Sequence, residues 1–218
     1  MTNLNKRIFT SLIVFPVSMF FIIKGGNYIV SFLYAILILA NFEAFSAFKR
    51  KTSIIFLDSI LVASLLSILH LRNDTASSLI LLLWVIILTI SSDIGGYVFG
   101  KTFRWKSFTN ISPNKTLSGV IGSLIFSIFS ILLLGLICKI LFQIDLNFFL
   151  KFKYFIFAVI LSLSAQLGDL MVSYFKRLDK IKDTGKILPG HGGIFDRIDS
   201  LMFSTIVANI LYYLKLFP

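Results

Sequence analysis

The sequence predicts an all-α, polytopic integral membrane protein of about seven transmembrane helices with its N-terminus in the cytoplasm. Three observations carry this prediction. The 218-residue chain is 57% hydrophobic and only 14% charged, whereas a soluble domain is about half apolar and about a quarter charged. Its apolar residues come in runs of roughly 15 to 25, the length that a hydrocarbon core of ~30 Å requires of a helix. Its Lys and Arg concentrate on alternate connections between those runs, the bias that orients helices across a bilayer.

The elements follow in order. Lys6 and Arg7 precede an apolar run over about Ile8–Ile23, which ends in Lys24-Gly25-Gly26. A cleaved signal peptide is the competing reading of this run. No A-x-A-like site follows it and a second apolar run begins at once, so a first membrane helix is expected. The second helix is expected over Tyr28–Phe48, with Glu43 near its cytoplasmic end, the third over Ile54–Leu71 and the fourth over Ser77–Phe99. The fifth is expected over Leu117–Leu141, the sixth over Tyr154–Tyr174 and the seventh over Ser200–Phe217. No soluble domain, low-complexity linker or internal repeat separates them, so residues 1–218 are expected to form a single membrane-embedded domain.

Charge settles the expected orientation and narrows the partners. With the N-terminus inside, 15 of the 21 Lys and Arg fall on the tail and inner loops and six on the outer side. The net charge of +11 would raise nucleic acid as a partner in a soluble protein. Here the basic residues are inner-loop residues, so membrane lipid is the expected partner and nucleic acid is not. The single cysteine, Cys138, lies inside an apolar run, which excludes an internal disulfide and marks it as a small buried hydrophobe.

Chemistry concentrates in Gly168–Ser200, which holds five of the ten acidic residues and one of the two histidines. Asp93 on the fourth helix and Asp169 on the sixth lie just inside the cytoplasmic boundary. Carboxylates at that depth are costly and face a bundle interior or a polar cavity, so a shared cavity is expected. Asp196 and Asp199, three apart where the seventh helix should begin, can project from one face. Negative charge is favourable at a helix N-terminus in itself. Beside Asp169 the pair also offers oxygen ligands to a hard divalent cation such as Mg²⁺, which takes one or two carboxylates and completes its shell with phosphates and water.

The turn Pro189-Gly190-His191-Gly192-Gly193 allows backbone amides to approach an anion. Lys176, Arg177, Lys182, Lys186 and Arg197 are near it in sequence and suit phosphate charge. His191 is either a general acid or phosphate donor, or an ordinary loop histidine. In the inner loop after the fourth helix, Ser112-Pro113-Asn114-Lys115-Thr116 places a turn, hydroxyls and a Lys at the mouth of the fifth helix. A basic juxtamembrane loop drawn to anionic lipid is the simpler reading of that stretch; a phosphate clamp is the sharper one.

The pattern Ser173, Lys176-Arg177, Lys182-Asp183, Gly185, Pro189, His191-Gly192-Gly193, Asp196-Arg197 and Asp199 strongly resembles the signature of the phosphatidate cytidylyltransferases. Gly168-Asp169-Leu170, Asp93, Gly100-Lys101, Ser112-Pro113, Lys115-Thr116, Pro16 and Glu43 match as well, so the resemblance spans most of the chain. Val172 and Ser118 stand where that family commonly has Glu.

The resemblance implies one catalytic domain that joins CTP to phosphatidic acid, giving CDP-diacylglycerol and pyrophosphate for phospholipid biosynthesis. It places the family's metal-binding aspartates at Asp169 and Asp196, with Asp199 and Asp93 as further ligands or supporting residues. Lys176, Arg177, Lys182, Asp183, His191 and Arg197 then belong to the catalytic set. Ser112, Lys115, Thr116 and the Gly192-Gly193 amides would position CTP and phosphate. The cofactor implied is Mg²⁺, with a monovalent cation as an optional second ion and a homodimer as an optional assembly. The expected location is a bacterial inner membrane with the site facing the cytoplasm. Two alternatives stay open: a CTP-dependent lipid-alcohol kinase of the dolichol type, and an ion-coupled transporter using Asp93 and Asp169.

Overall fold

In the computed structural model, which describes residues 3–109, 111–143 and 151–216, every named element is a helix. In chain order these are α1 (Asn3–Lys24), α2 (Gly26–Ala47), α3 (Lys51–Leu71), α4 (Ala76–Phe103), α5 (Leu117–Phe142), α6 (Phe152–Leu178) and α7 (Phe195–Tyr213). Among the described residues the only β pairings are two isolated bridges, Ser107 with Thr116 and Leu188 with Gly192.

The first six helices are long and apolar enough to cross a membrane. Helix α7 has 19 residues and falls outside that set, because its first turns carry Asp196, Arg197 and Asp199. It also starts earlier than expected, at Phe195 rather than Ser200, so those charged residues lie within the helix. The end predicted at Phe217 lies outside the described residues.

Local chemistry explains several starts. Thr75 caps α4 by accepting from the Ser78 N–H at 3.2 Å, while Ser78 Oγ accepts from the Thr75 N–H at 3.2 Å. Such a reciprocal box satisfies amide donors that a helix end otherwise leaves open. Thr116 caps α5 through the Gly119 N–H at 3.1 Å. Two other helices are capped by carboxylates from distant elements. Asp179, after α6, accepts from the Lys49 and Arg50 amides at the start of α3 and from Ser53 Oγ. Glu43 on α2 accepts from the Ile194 and Phe195 amides at the start of α7 and from Thr184 Oγ1.

Two apolar clusters fill the interior. One gathers Leu33, Leu57, Leu61, Val172, Phe195 and Met202; the other is built on Trp84, Leu88, Ile131, Phe157 and Leu161, with Trp84 stacked on Phe157 at 4.9 Å. Small hydroxyls tie the helices across these clusters. Thr89 meets Ser204 at 2.8 Å, Ser92 meets Ser162 at 2.8 Å and Ser64 meets Thr205 at 3.0 Å. Such pairs are the usual polar glue where lipid removes the hydrophobic drive for helix association. Helices α4 and α5 approach closely because Gly95 lies against the Gly122 carbonyl and Gly122 against that of Gly95, leaving no room for a side chain at either.

One end of the bundle collects the N-terminus, the α2–α3 joint, the α4–α5 loop and the α6–α7 loop, as the basic residues predict. Contacts prove the grouping: Arg7 reaches the Gly190 carbonyl, the Lys49 amide reaches Asp179 and Lys115 reaches Asp169. The opposite end is closed by Arg72 and Asp74, which bind the carbonyls ending α1 and the Gly26 amide starting α2.

Candidate active site

At the loop-rich end, α4, α5, α6 and α7 frame a polar cavity of about 430 Å³. Its position follows from helix periodicity. On α4, Asp93 shares a face with Gly96 and Tyr97, three and four residues on. On α6, Gln166 and Asp169 are likewise three apart and face the same space. Helix α7 contributes Asp196, Arg197, Asp199 and Ser200, and the loop before α5 contributes Asn114, Lys115 and Thr116. Lys176 and Asp183 complete the charged lining.

The charges are arranged in two groups. In the first, Lys115 Nζ lies 2.8 Å from Asp169 Oδ2, both partly exposed to the cavity. Ser173 Oγ donates to Asp169 Oδ1 at 3.3 Å, and Ser200 Oγ donates to Asp93 Oδ1 at 3.1 Å. Asp199, the third carboxylate of this group, accepts from the Ser200 amide at 2.9 Å.

The second group is centred on Asp196. Lys176 Nζ donates to its Oδ1 at 2.7 Å, with both side chains nearly buried. The Thr184 and Gly193 amides donate to its Oδ2 at 2.9 and 3.0 Å, and Thr184 Oγ1 lies 3.1 Å from the same oxygen. Burial pushes the Asp196 carboxyl up, but the Lys176 hydrogen bond and charge, aided by the two amides, outweigh it and hold the group below the usual carboxylate range.

This geometry places the expected residues unevenly. Asp93, Asp169, Asp199, Asp196, Asp183, Lys115, Thr116, Lys176 and Arg197 all line the cavity. Ser112, Arg177, Lys182, His191, Gly192 and Gly193 do not. Ser112 shapes the turn through its carbonyl, which accepts from the Lys115 amide. Arg177 is exposed and binds the Ile181 carbonyl at 2.8 Å, while Lys182 is exposed away from the cavity.

The glycine turn and the expected metal-binding carboxylates are held by contacts within the protein. The Gly192-Gly193 amides do not point outward at an anion: Gly192 donates to the Leu188 carbonyl and Gly193 to Asp196. The turn closes on itself, with Gly190 and Gly192 at φ 80° and 91°, the left-handed region that suits glycine. Asp196 accepts from Lys176 and the Thr184–Gly193 turn, as Asp169 accepts from Lys115 and Ser173, so both expected metal-binding carboxylates are held by donors of the protein. Among the described residues no three His, Cys, Asp or Glu side chains close on one point. The donors that face the cavity are nonetheless oxygen-only carboxylates, a chemistry that suits a hard divalent cation needing just one or two of them.

Gln166, Tyr97 and Ser200 line the cavity without having stood out in the sequence. The first two were legible as neighbours of Asp169 and Asp93 at helical spacing. Val172 and Ser118, where Glu is common in the family that the signature resembles, are both buried and neither lines the cavity.

A model of the cytidylyltransferase family matches residues 47–215, which carry the whole polar cavity. The chain is similar to the phosphatidate cytidylyltransferase of Staphylococcus haemolyticus (strain JCSC1435), 42% identical over 136 residues, covering 60% of this chain and 48% of the relative. That of Staphylococcus saprophyticus is 39% identical over 149 residues, covering 66% and 53%. That of Staphylococcus aureus (strain COL) is 40% identical over 136 residues, covering 60% and 48%. The chain thus spans about half the length of the curated relatives it matches. With the family model covering most of the sequence and every charged residue of the cavity, the chain belongs to the cytidylyltransferase family.

Proposed function

We propose that the chain transfers the cytidylyl group of CTP to phosphatidic acid, forming CDP-diacylglycerol and releasing pyrophosphate. The observation that carries this reading is the convergence of Asp93, Asp169 and Asp199 with Lys115, Lys176 and Arg197 on one cavity, inside the segment that matches cytidylyltransferases. The names of the staphylococcal relatives supply the acceptor. We place this end of the bundle at the cytoplasmic face of a bacterial cell membrane, where CTP enters from water while acyl chains stay in the bilayer; the excess of Lys and Arg on this end supports the orientation.

The reaction asks little covalent work of the protein. A phosphate oxygen of phosphatidic acid attacks the α-phosphorus of CTP. A new P–O bond forms as the bond to the bridging oxygen breaks, and pyrophosphate leaves with the electron pair. The nucleophile is already anionic, so catalysis rests on positioning two polyanions and stabilising spread charge. Lys115, held by Asp169 in the cavity wall, is suited to the CTP phosphates. Arg197 is suited to the acceptor phosphate, and Lys176 holds Asp196 and with it the 184–193 turn. Mg²⁺ would be held by one or two of the cavity carboxylates Asp169, Asp196, Asp199 and Asp93, and when bound it would offset negative charge on the phosphate oxygens.

The test uses the purified chain with phosphatidic acid, Mg²⁺ and CTP labelled at the α-phosphorus. Label entering the lipid as pyrophosphate appears, with EDTA stopping both, is the expected result. Asp169→Ala should abolish turnover in folded protein. Conversion of CTP only to CDP with a lipid alcohol as acceptor would overturn the reading in favour of a kinase.

A further inference from the structure

A second cavity, of about 520 Å³, lies between α1 and the rest of the bundle. Its walls are apolar, with Val14 and Met19 on α1, Leu33 on α2, Ile86 on α4 and Leu201 on α7. One end is polar and formed by Thr10, Ser11, His191 and Arg197. Arg197 also lines the polar cavity, and among the described residues it is the one that both linings share.

The slot exists because α1 is tied at its ends. At the loop-rich end Arg7 Nε donates to the Gly190 carbonyl at 2.8 Å, Thr10 Oγ1 donates to the Pro189 carbonyl at 2.8 Å, and Ser11 Oγ meets His191 Nε2 at 3.4 Å. At the far end the Arg72 guanidinium binds the Ile22 and Ile23 carbonyls at 3.0 and 3.1 Å. Between the ties only 11% of the α1 span is buried, against 44% for α6. Pro16 falls in this stretch and lacks the N–H that would close a turn. From Thr10 to Ile22 the slot runs for ~18 Å at ~1.5 Å per residue, more than half of a ~30 Å hydrocarbon core.

We propose that this slot is the acyl-chain subsite of the lipid acceptor, with Arg197 holding the phosphate monoester where slot and polar cavity meet; this rests on the cytidylyltransferase reading. The occupant follows from the chemistry of the two ends. An apolar channel of this length within the bilayer suits one hydrocarbon chain, and the cationic end suits a phosphate. Arg197 donates Nε and Nη2 to the His191 carbonyl at 2.9 and 2.6 Å, which fixes the guanidinium while leaving further N–H groups for an anion. The α1 wall lies outside the residues that match the family model, so the slot is not contained in the matched segment.

Two experiments on the full chain test this. The first uses phosphatidic acid carrying a diazirine near the end of one acyl chain. Labelling should map to slot residues such as Val14, Met19 and Leu33, and excess unlabelled phosphatidic acid should suppress it. Labelling confined to outward residues such as Phe42 or Phe129, or equal labelling by a phosphatidylcholine of the same chain, would overturn the assignment.

The second narrows the slot with Ile86→Trp and Met19→Trp. KM for a long-chain phosphatidic acid should rise about tenfold, equivalent to excluding about two methylenes at ~0.8 kcal/mol each. KM for CTP and turnover of a dihexanoyl acceptor should stay at wild-type values. An unchanged long-chain KM in both variants would overturn the subsite. If wild-type protein transfers no cytidylyl group yet the diazirine still labels the slot competitively, the proposed function fails and the phosphate-lipid site stands.

Discussion

Glu43→Ala is the substitution that most sharply tests how the site is held. Glu43 is 1% exposed, and its carboxylate accepts from the Thr184 hydroxyl, from the Ile194 amide at 2.8 Å and from the Phe195 amide at 3.4 Å. Truncation leaves two donors, the Ile194 and Phe195 amides, buried without an acceptor, while the Thr184 hydroxyl can turn to Asp196 Oδ2 at 3.1 Å. Each such orphan costs about 1–3 kcal/mol, so a loss of about 3 kcal/mol is expected. For a chain of this size that corresponds to a drop in Tm of about 6–12 °C. Glu43→Gln retains an acceptor oxygen and should lose about half as much.

A thiol-reactive fluorogenic dye provides the assay, because the single cysteine, Cys138, is 1% exposed and reports unfolding of the distant α5 cluster. A second readout is tryptic cleavage at Lys180, Lys182 and Lys186, which should accelerate in Glu43→Ala below its Tm as the turn before α7 loosens. A Glu43→Ala protein that melts within about 2 °C of wild type, with unchanged cleavage, would refute the view that this carboxylate caps α7.

Three further outcomes follow. Lys115→Met should lower turnover and raise KM for CTP by roughly tenfold each, as loss of one charge-assisted contact implies, with Tm preserved because the Asp169 carboxylate left behind is 36% exposed. Gly122→Ala would press a methyl against the Gly95 carbonyl and Phe99, so it should cost about 2 kcal/mol, or about 4–8 °C in Tm, and a normal melt would show that α4 and α5 can part freely. Burial and the charges of Arg197 and Arg7 hold the His191 imidazole below its ordinary value. The unfolded chain then takes up the proton first as pH falls below about 6.5, and stability declines from there. The Tm advantage of wild type over His191→Gln should therefore shrink between pH 7.5 and 5, and a pH-independent difference would contradict the shift.

Much of the fold was legible because a bilayer imposes length and apolarity on each helix independently of its neighbours. The expected spans agree with observed helices to within five residues at each described end, and the distribution of Lys and Arg identifies the loops that share one end. The start of α7 was not legible. Asp196 and Asp199 read as lying where the seventh helix begins, but its first turn at Phe195 is fixed by Glu43, some 150 residues earlier in the chain, which caps it.

The candidate site was legible as residue types but not as contacts. Sequence alone marks Asp93, Asp169, Asp196 and Asp199 as carboxylates needing a polar environment, since a buried charge without a partner is too costly to keep. How each is held, Asp169 by Lys115 and Ser173, Asp196 by Lys176 and the 184–193 turn, depends on pairings that include residues far apart in sequence. The same holds for the inward-turned Gly193 amide and for the slot behind α1, whose walls come from five helices and whose polar end Arg197 shares with the charged cavity. Hydropathy and charge determine that this chain spans a membrane and where its chemistry collects. Only packing decides which groups remain available to a ligand, because availability is what is left after the protein has satisfied its own donors and acceptors.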